Sequence, residues 1–510
     1  MNTAAPARFD GNLYALFQRH FPADRTKPFI QMTDGHAYDY AALETISGRY
    51  ARLLQNLGAA QGERVLVQVE KSPEALFLYL AALRAGAIYV PLNTAYRAHE
   101  LEHFIGDAEP KVVVCDPASA DTIRKLAKGA EVLTLDAHGK GTLAEHSANL
   151  DAAVEPAKKS ADDVAAILYT SGTTGRSKGA MLTHWNLASN ALTLHALWGF
   201  RPDDVLLHAL PIFHTHGLFV ATNCVLLNGT KMIFLPKFEA GTVIRLLKDS
   251  TVLMGVPTFY VRLLAEAGFG AEQCKTMRLF IAGSAPLLEE TFKEFARRTG
   301  HTILERYGMT EAGMITSNPL AGERIAGSVG PALPGVEVRV ADDKGTLLPQ
   351  GEAGVLEIRG PNVFKGYWRM PDKTREEFRT DGFFITGDVS RIDPNGYVAI
   401  VGRAKDLIIS GGFNVYPKEI ELQIDAIDGV AESAVIGLPH PDFGEGVAAV
   451  ATRKPGAKVT EDAVIGRLKD DLANFKVPKR VFFVDDLPRN AMGKVQKNVL
   501  RDTYKDTFRR

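Results

Sequence analysis

The sequence predicts an α/β protein, in which a large N-terminal domain of layered α/β subdomains plus a β subdomain is followed by a small α+β C-terminal lid. Up to about residue 330, short apolar runs alternate with helical patterns, which is typical of mostly parallel sheets covered by helices. Strands punctuated by glycine and proline follow, and the pattern changes again after Gly402. We therefore expect a large domain over 1–402, with the β subdomain at about 331–402, and a lid over 403–510.

Several apolar runs in the first domain have the length of buried strands. These runs are 64–69, 111–115, 205–210, 231–235 and 277–282. Ser72 as N-cap, Pro73 at the first helical position and Gly86 as a stop signal predict a helix after the first run. The apolar stretch 75–90 is interrupted by Arg84 and is shorter than the roughly 20 residues of a membrane span. It therefore predicts a core helix followed by a strand.

The later part of the chain predicts two groups of elements. The β subdomain has expected strands at 336–340, 355–359 and 397–401. In the lid, we expect a helix, a strand, a second helix and a second strand at 418–427, 432–437, 461–473 and 481–484.

Composition excludes several classes of protein. The 510 residues carry a formal net charge of −1, so nothing indicates binding to nucleic acid or to an anionic membrane. Cys115, Cys224 and Cys274 are too few and too widely spaced for a disulfide framework or a zinc site. The first 25 residues include Asp10 and Arg19 and lack the apolar core of a signal peptide. We expect a cytoplasmic protein.

The segment 169–179 is rich in glycine and hydroxyl groups, ends in lysine, and follows the apolar run 164–168. Glycines let the backbone approach an anion, and hydroxyl, N–H and ammonium groups donate to its oxygens. A P-loop is excluded, because Ser177 stands where its second glycine is required. A plain linker is disfavoured directly after a buried strand. The candidate phosphate-binding residues are Thr170, Ser171, Gly172, Thr173, Thr174 and Lys178.

This loop and its strand resemble the phosphate-binding motif of the adenylate-forming superfamily, which contains acyl-CoA synthetases, adenylation domains of peptide synthetases and beetle luciferase. The other motifs of that superfamily are matched in order along nearly the whole chain. They lie at 282–286, 305–311, 386–388, 402–406, 411–417 and 488–494.

The resemblance implies a two-step reaction that uses ATP, Mg²⁺ and coenzyme A. A carboxylate attacks the α-phosphorus of ATP, which gives an acyl-adenylate and pyrophosphate, and a thiol then displaces AMP. The first step gathers negative charge and needs cations, whereas the second needs those groups withdrawn. A rotating lid meets both needs, and the resemblance places its hinge near Lys405.

The resemblance also assigns roles to residues that match the motifs. Lys494 is expected to contact the carboxylate and phosphate during adenylation, and Asp388 to hold the ribose hydroxyls with Arg403 beside it. Glu311 is the expected Mg²⁺ ligand, and Thr310 the hydroxyl on the α-phosphate. Other matching residues are expected around adenine, where Tyr307 stacks on the base, or on the path of the thiol. The adenine group is Gly283, Ser284, Ala285, Glu305, Tyr307 and Gly308, and the thiol group is Ser410, Gly411, Gly412 and Phe413.

Charged and histidine side chains near the expected acyl pocket indicate which acid is activated. Arg262 and Arg306 imply an anion there, and a second carboxylate suits a bidentate guanidinium. Ser284 and His216 add donors, and His214 matches a family position that gates the carboxylate pocket. The combination is similar to the malonyl-CoA and methylmalonyl-CoA synthetase branch. Plain structural roles are the alternatives, namely an exposed helix residue for Arg262, an ion pair for Arg306 and core packing for the histidines or Tyr307.

Other functions compete with this one. A short- or medium-chain monocarboxylic or aryl acid would fit the same chemistry, and a freestanding adenylation enzyme would load a carrier protein instead of coenzyme A. A luciferase-type oxygenase is disfavoured by the charged pocket, and a non-catalytic nucleotide-binding protein by the presence of Lys494 with Asp388, Arg403 and Glu311. Lysines in this motif are acetylated in related enzymes, so a lysine acetyltransferase and deacetylase are expected partners at Lys494.

Overall fold

The computed structural model describes residues 4–170, 177–410, 413–490 and 493–508, apart from the side chains of residues 413, 414, 470 and 471. Two compact units group residues 1–337 with 358–384, and residues 338–357 with 385–510. The expected boundary at residue 402 differs from this grouping, because residues 385–402 belong to a sheet of the second unit. The division at 402 stays a prediction.

The described helices are short to medium in length, and none is long and apolar enough to cross a membrane. In chain order they are α1 Leu13–Gln18, α2 Tyr40–Asn56, α3 Pro73–Ala85, α4 Ala98–Ala108, α5 Ala120–Leu126, α6 Thr142–Ser147, α7 His184–Leu197, α8 Asn223–Asn228, α9 Ala240–Leu247, α10 Pro257–Ala265, α11 Glu289–Thr299, α12 Pro371–Glu376, α13 Pro417–Asp425, α14 Glu461–Asp471 and α15 Lys497–Tyr504.

The strands alternate with these helices through the first unit. In chain order they are β1 Pro28–Met32, β2 Ala37–Asp39, β3 Arg64–Gln68, β4 Ile88–Pro91, β5 Val112–Cys115, β6 Glu131–Thr134, β7 Val164–Thr170, β8 Lys178–Thr183, β9 Val205–His208, β10 Lys231–Phe234, β11 Val252–Gly255, β12 Leu279–Ala282, β13 Leu304–Met309, β14 Gly313–Ser317, β15 Glu337–Ala341, β16 Gly354–Arg359, β17 Gly366–Tyr367, β18 Phe384–Ile392, β19 Val398–Arg403, β20 Ile408–Ser410, β21 Phe413–Val415, β22 Val430–His440, β23 Gly444–Arg453 and β24 Arg480–Phe483.

The first unit contains two sheets of mostly parallel strands. One has the order β14-β13-β12-β11-β9-β10-β1-β2, and the other β17-β8-β7-β4-β3-β5-β6. Strands β9, β11, β12 and β13 are parallel, so their carboxyl ends lie at one edge, where α/β sheets commonly bind ligands. Segments 209–217, 256–264, 283–288 and 310–312 leave from this edge.

Helix α3 shows how the sequence signals act locally. The Ser72 side chain accepts a hydrogen bond from the Ala75 N–H, and Gly86 ends the helix with φ +79°, a conformation that costs glycine little. All residues of α3 except Glu74 are buried. The predicted core helix and its following strand, β4, are both confirmed.

The second unit has two sheets. One sheet has the strand order β15-β16-β18-β19 and includes the three strands expected from the sequence. The other has the order β21-β20-β23-β22, with β24 parallel to β23. Strand β23 was not predicted from the sequence, and it pairs with β22 along its whole length. Alanine is depleted in strands, and the buried centre of β23 is Val447-Ala448-Ala449-Val450-Ala451. Burial on both faces decides its conformation.

Candidate active site

The loop predicted to bind phosphate connects two antiparallel strands of the first unit. Thr170 at the end of β7 pairs with Lys178 at the start of β8, so the chain leaves and returns at one point of the sheet. Ser171, Gly172, Thr173 and Thr174 lie outside the described residues. The structure therefore places only the two ends of the predicted phosphate loop.

A chain of polar contacts joins these two ends to the predicted metal ligand. Glu311 is buried, and its Oε1 accepts from Thr170 Oγ1 at 3.3 Å and from Tyr367 Oη at 3.1 Å. Tyr367 Oη also lies 2.6 Å from Glu377 Oε2, and Lys178 Nζ donates to Glu377 Oε1 at 2.7 Å. The Lys178 ammonium lies 4.1 Å from the centre of the Tyr367 ring. We call these residues the loop-base network.

The charges of the loop-base network explain its protonation. Burial raises the pKa of Glu377, but the hydrogen bonds from Lys178 and Tyr367 and the charge of Lys178 lower it by more, so the net shift is downward. Burial raises the pKa of Tyr367, and the carboxylates of Glu311 and Glu377 raise it again. At neutral pH, Glu377 is therefore a carboxylate and Tyr367 a neutral phenol.

Sequence reasoning missed Tyr367 and Glu377. Glu377 follows α12, whose sequence Pro-Asp-Lys-Thr-Arg-Glu is typical of a solvated charged helix, and it lies 199 residues from Lys178. No local pattern indicates that Glu377 is the partner of a buried lysine. The need of a buried ammonium for an acid was the one available signal.

The other predicted nucleotide residues of this unit lie on a hairpin and a loop. Strands β13 and β14 pair antiparallel around the turn 310–312. Glu305 is buried and accepts from the Leu287 N–H at 3.3 Å, so it connects the hairpin with the loop after β12. Tyr307, Gly308, Thr310, Ser284 and Ala285 are partly exposed. Their roles at adenine and phosphate stay predictions.

Arg306 on β13 is the most unusual residue of the site. Its side chain is 2% exposed, and its Nε and Nη2 have no hydrogen-bond partner among the described residues. Burial lowers its pKa to about 9, while Tyr260 and Glu305 act in the opposite direction. The guanidinium is therefore still charged at neutral pH.

Two predicted donors, His216 and Ser284, contact each other. Ser284 Oγ lies 3.3 Å from His216 Nδ1, and His216 Nε2 is buried without a partner among the described residues. Ser284 has φ +73°, which is uncommon for a residue other than glycine and often marks a functional site. Burial and the charge of Arg306 lower the pKa of His216 well below its usual value, so its imidazole is neutral.

His214 and His216 belong to a segment that contacts the buried side chain of His208. The segment continues into a π-helical turn over His216–Thr222, a form that often occurs at functional sites. His208 Nε2 lies 2.9 Å from the Gly217 carbonyl oxygen, and its Nδ1 lies 2.9 Å from Lys71 Nζ. Burial and Arg306 lower the pKa of His214 to about 4.

Arg262 occupies a different environment from Arg306. It is exposed on α10, so it does not share the desolvated surroundings that make Arg306 unusual. The structure brings Arg306, His216, His214 and Ser284 together. The role of Arg262 in binding the substrate carboxylate stays a prediction.

The remaining predicted residues belong to the second unit. Asp388 Oδ1 and Arg403 Nε form an ion pair of 2.6 Å between the adjacent strands β18 and β19. Lys494 retains exposed surface, yet loss of hydration and the charge of Arg403 lower its pKa to about 8, with Asp388 acting in the opposite direction. Ser410 is buried, whereas Gly411, Gly412 and the Phe413 side chain lie outside the described residues.

Comparisons with known proteins agree with the motifs along the chain. The family model described as AMP-binding enzyme matches residues 17–368, and the model described as AMP-binding enzyme C-terminal domain matches residues 419–494. A malonate–CoA ligase of Arabidopsis thaliana is 34% identical, over 93% of this chain and 86% of its own. A feruloyl-CoA synthase of an Amycolatopsis species is 36% identical, over 92% of this chain and 94% of its own.

A solved structure also resembles this chain along nearly its whole length. The crystal structure of ATP-bound MatB from Rhodopseudomonas palustris is similar with a TM-score of 0.96 and 58% identity, and the match covers 98% of this chain and 99% of that chain.

Proposed function

This chain belongs to the AMP-binding enzyme family, and we propose that it is an ATP-dependent acid–CoA ligase that forms malonyl-CoA or methylmalonyl-CoA. The acid becomes an acyl-adenylate with release of pyrophosphate, and coenzyme A then displaces AMP. The sequence motifs, the family match over 17–368 and the relative described as a malonate–CoA ligase support this proposal.

The buried guanidinium of Arg306 carries the assignment of the acid. A buried charge without a partner is costly, and Nε and Nη2 point to no acceptor among the described residues. A carboxylate accepts two parallel bonds from such a fork. The substrate therefore has a second carboxylate besides the one that is activated.

His216 provides a further donor for the same anion. Its imidazole is neutral, so one ring nitrogen carries a proton and the other accepts. We assign the proton to Nε2, because Nδ1 then accepts the Ser284 hydroxyl proton and Nε2 donates to the substrate. Ser284 in this arrangement orients the ring. Octanoate and benzoate each have one carboxylate, which is the one activated, so they offer no second acceptor to Arg306 or His216.

In the first step, a carboxylate oxygen of the acid attacks the α-phosphorus as the bond to pyrophosphate breaks. Lys494 and Thr310 stabilise the charge that gathers there. In the second step, the coenzyme A sulfur attacks the acyl carbon, the bond to the AMP oxygen breaks, and the thiol proton passes to solvent. His214 is proposed to gate access of the carboxylate.

Glu311 fits the expected Mg²⁺ ligand. It is one buried carboxylate oriented by Thr170 and Tyr367, and Mg²⁺ is commonly held by one or two carboxylates with phosphate oxygens and water. The ion, when bound, supplies positive charge to the phosphates. Asp388 and Arg403 are proposed to hold the ribose, and the glycines around Ser410 to leave a passage for the thiol.

The first test is AMP formation with ATP, Mg²⁺ and coenzyme A across malonate, methylmalonate, succinate, acetate, butyrate, octanoate and benzoate. We expect turnover confined to malonate and methylmalonate. Arg306→Ala should lose malonate activity and gain butyrate activity. Arg262→Ala tests the exposed arginine separately. Turnover of octanoate or benzoate by the wild type, or an unchanged malonate KM in Arg306→Ala, would contradict the assignment.

Two expectations about partners stay predictions. Acetylation of Lys494 would remove the charge used in adenylation and inactivate the enzyme reversibly. Enzyme that is acetylated by intact-mass analysis yet fully active would refute this prediction. A carrier protein as acyl acceptor is tested by replacing coenzyme A in the same assay.

A further inference from the structure

Asn490 and Lys494, at the two ends of the loop that carries Lys494, are joined by one side-chain and one backbone hydrogen bond. The Lys494 N–H donates to Asn490 Oδ1 at 3.0 Å, and the Asn490 N–H donates to the Lys494 carbonyl at 2.9 Å. Gly493 has φ +73°, which the turn requires and which glycine adopts at little cost. A β-bridge between Arg489 and Val495 forms the base of the loop.

The Arg489 side chain connects this loop to the sheet that contains β22. Its Nη1 donates to the Gly493 carbonyl at 2.9 Å, and its Nη2 forms an ion pair with Glu432 Oε2. Glu432 lies on β22, which pairs with β23. The guanidinium thus spans from a fixed strand to the residue before Lys494.

A second ion pair anchors the chain after Lys494. Lys497 at the start of α15 lies 2.5 Å from Glu421 on α13. This pair anchors the chain three residues after Lys494, whereas the Arg489 bridge contacts Gly493, directly before Lys494.

Two neighbouring cations repel the Lys494 ammonium, so its position depends on how firmly its loop is held. Arg403 and Lys405 repel it, and both lower its pKa, whereas Asp388 and Asp406 attract it. A loop held only by its own turn would let the ammonium move away from these two cations, because water would still hydrate its charge.

We propose that Arg489 and Glu432 are positioning residues for Lys494 in the adenylation step, an inference that rests on the proposed function. In this proposal both residues act through the loop that carries Lys494. The bridge is a partly exposed ion pair, with 24% and 29% of the two side chains exposed, and such pairs contribute little to stability. Misplacement of a catalytic group by about 1 Å, in contrast, costs about 100-fold in rate.

The test separates the two half-reactions in the full-length enzyme. Malonate-dependent exchange of pyrophosphate into ATP reports on adenylation, and thioester formation from prepared malonyl-AMP and coenzyme A reports on the second step. We expect Arg489→Ala and the isosteric Glu432→Gln to lower exchange by roughly 10- to 100-fold and to leave thioester formation within about twofold of wild type. Arg489→Lys should recover part of the exchange activity.

The matched control is Arg480→Ala. Arg480 forms an ion pair with Glu461 at 2.9 Å in the same unit. Within the described part of the chain, it makes no contact with the loop that carries Lys494. We expect wild-type rates in both half-reactions. A double variant, Arg489→Ala with Glu432→Gln, should lose no more than the worse single variant, because both act through one bridge.

Three results would overturn the inference: exchange at the wild-type rate in Arg489→Ala and Glu432→Gln, an equal loss in both half-reactions, or the same loss in Arg480→Ala. Failure of the proposed function is seen differently. In that case wild-type enzyme shows no malonate-dependent exchange at all, whatever the variants do.

Discussion

The α-carbon of Gly283 lies against the guanidinium of Arg306. A β-carbon at position 283 would lie 2.7 Å from Arg306 Nε, and closer still to Cζ and Nη1. The contact follows from the sheet, because β12 and β13 are parallel with Ala282 opposite Glu305. Glycine at 283 therefore makes room for the buried arginine.

Gly283→Ala should displace the Arg306 guanidinium and weaken binding of the substrate carboxylate. We expect the malonate KM to rise by about tenfold or more, and by more than the KM for ATP, as measured by pyrophosphate exchange. Gly268→Ala is the control, since a β-carbon there meets nothing within 4 Å. An unchanged malonate KM in Gly283→Ala would show that Arg306 does not hold the acid.

Tyr367→Phe removes the hydroxyl that lies between Glu311 and Glu377. The two carboxylates then lose a shared donor in a buried place, so we expect unfolding free energy to fall by about 1–3 kcal/mol and the KM for Mg·ATP to rise. Denaturant unfolding and initial rates measure the two effects.

Tyr96→Phe is the control for the Tyr367 variant, because its ring packs on Phe104 with centres 4.9 Å apart and phenylalanine preserves that contact. Equal stability and equal KM in Tyr367→Phe and wild type would mean that the loop-base network does not support Glu311.

The lowered pKa of Lys494, about 8, predicts an alkaline limit of adenylation. Lys494 is proposed to act in its charged form, and that form is lost as the pH rises through the pKa. The kcat/KM for ATP in pyrophosphate exchange, which reports on the free enzyme, should therefore fall above about pH 8.

Lys494→Arg tests the origin of this limit. A guanidinium stays charged up to pH 12 or beyond, so whatever activity remains should show no fall near pH 8. A wild-type rate that is flat up to pH 10, or the same fall in the arginine variant, would assign the limit to another group.

Local elements and the family were accessible from the sequence for a physical reason. The N-cap Ser72 and the stop Gly86 act within one helix, and strands such as β3 and β5 are marked by short apolar runs. The motifs at 169–179, 305–311 and 488–494 are contiguous, so their residues and spacing predict the chemistry without knowledge of the fold. The family matches confirm that prediction.

Contacts between distant residues were decided only by the tertiary structure. Glu311 meets Thr170 across 141 residues of sequence, and Lys178 meets Glu377 across 199. The two predicted arginines look alike in the sequence, yet Arg306 is buried beside Gly283 and Arg262 is exposed. Burial and pairing depend on which strands lie side by side, and that is a property of the whole sheet and not of any one segment.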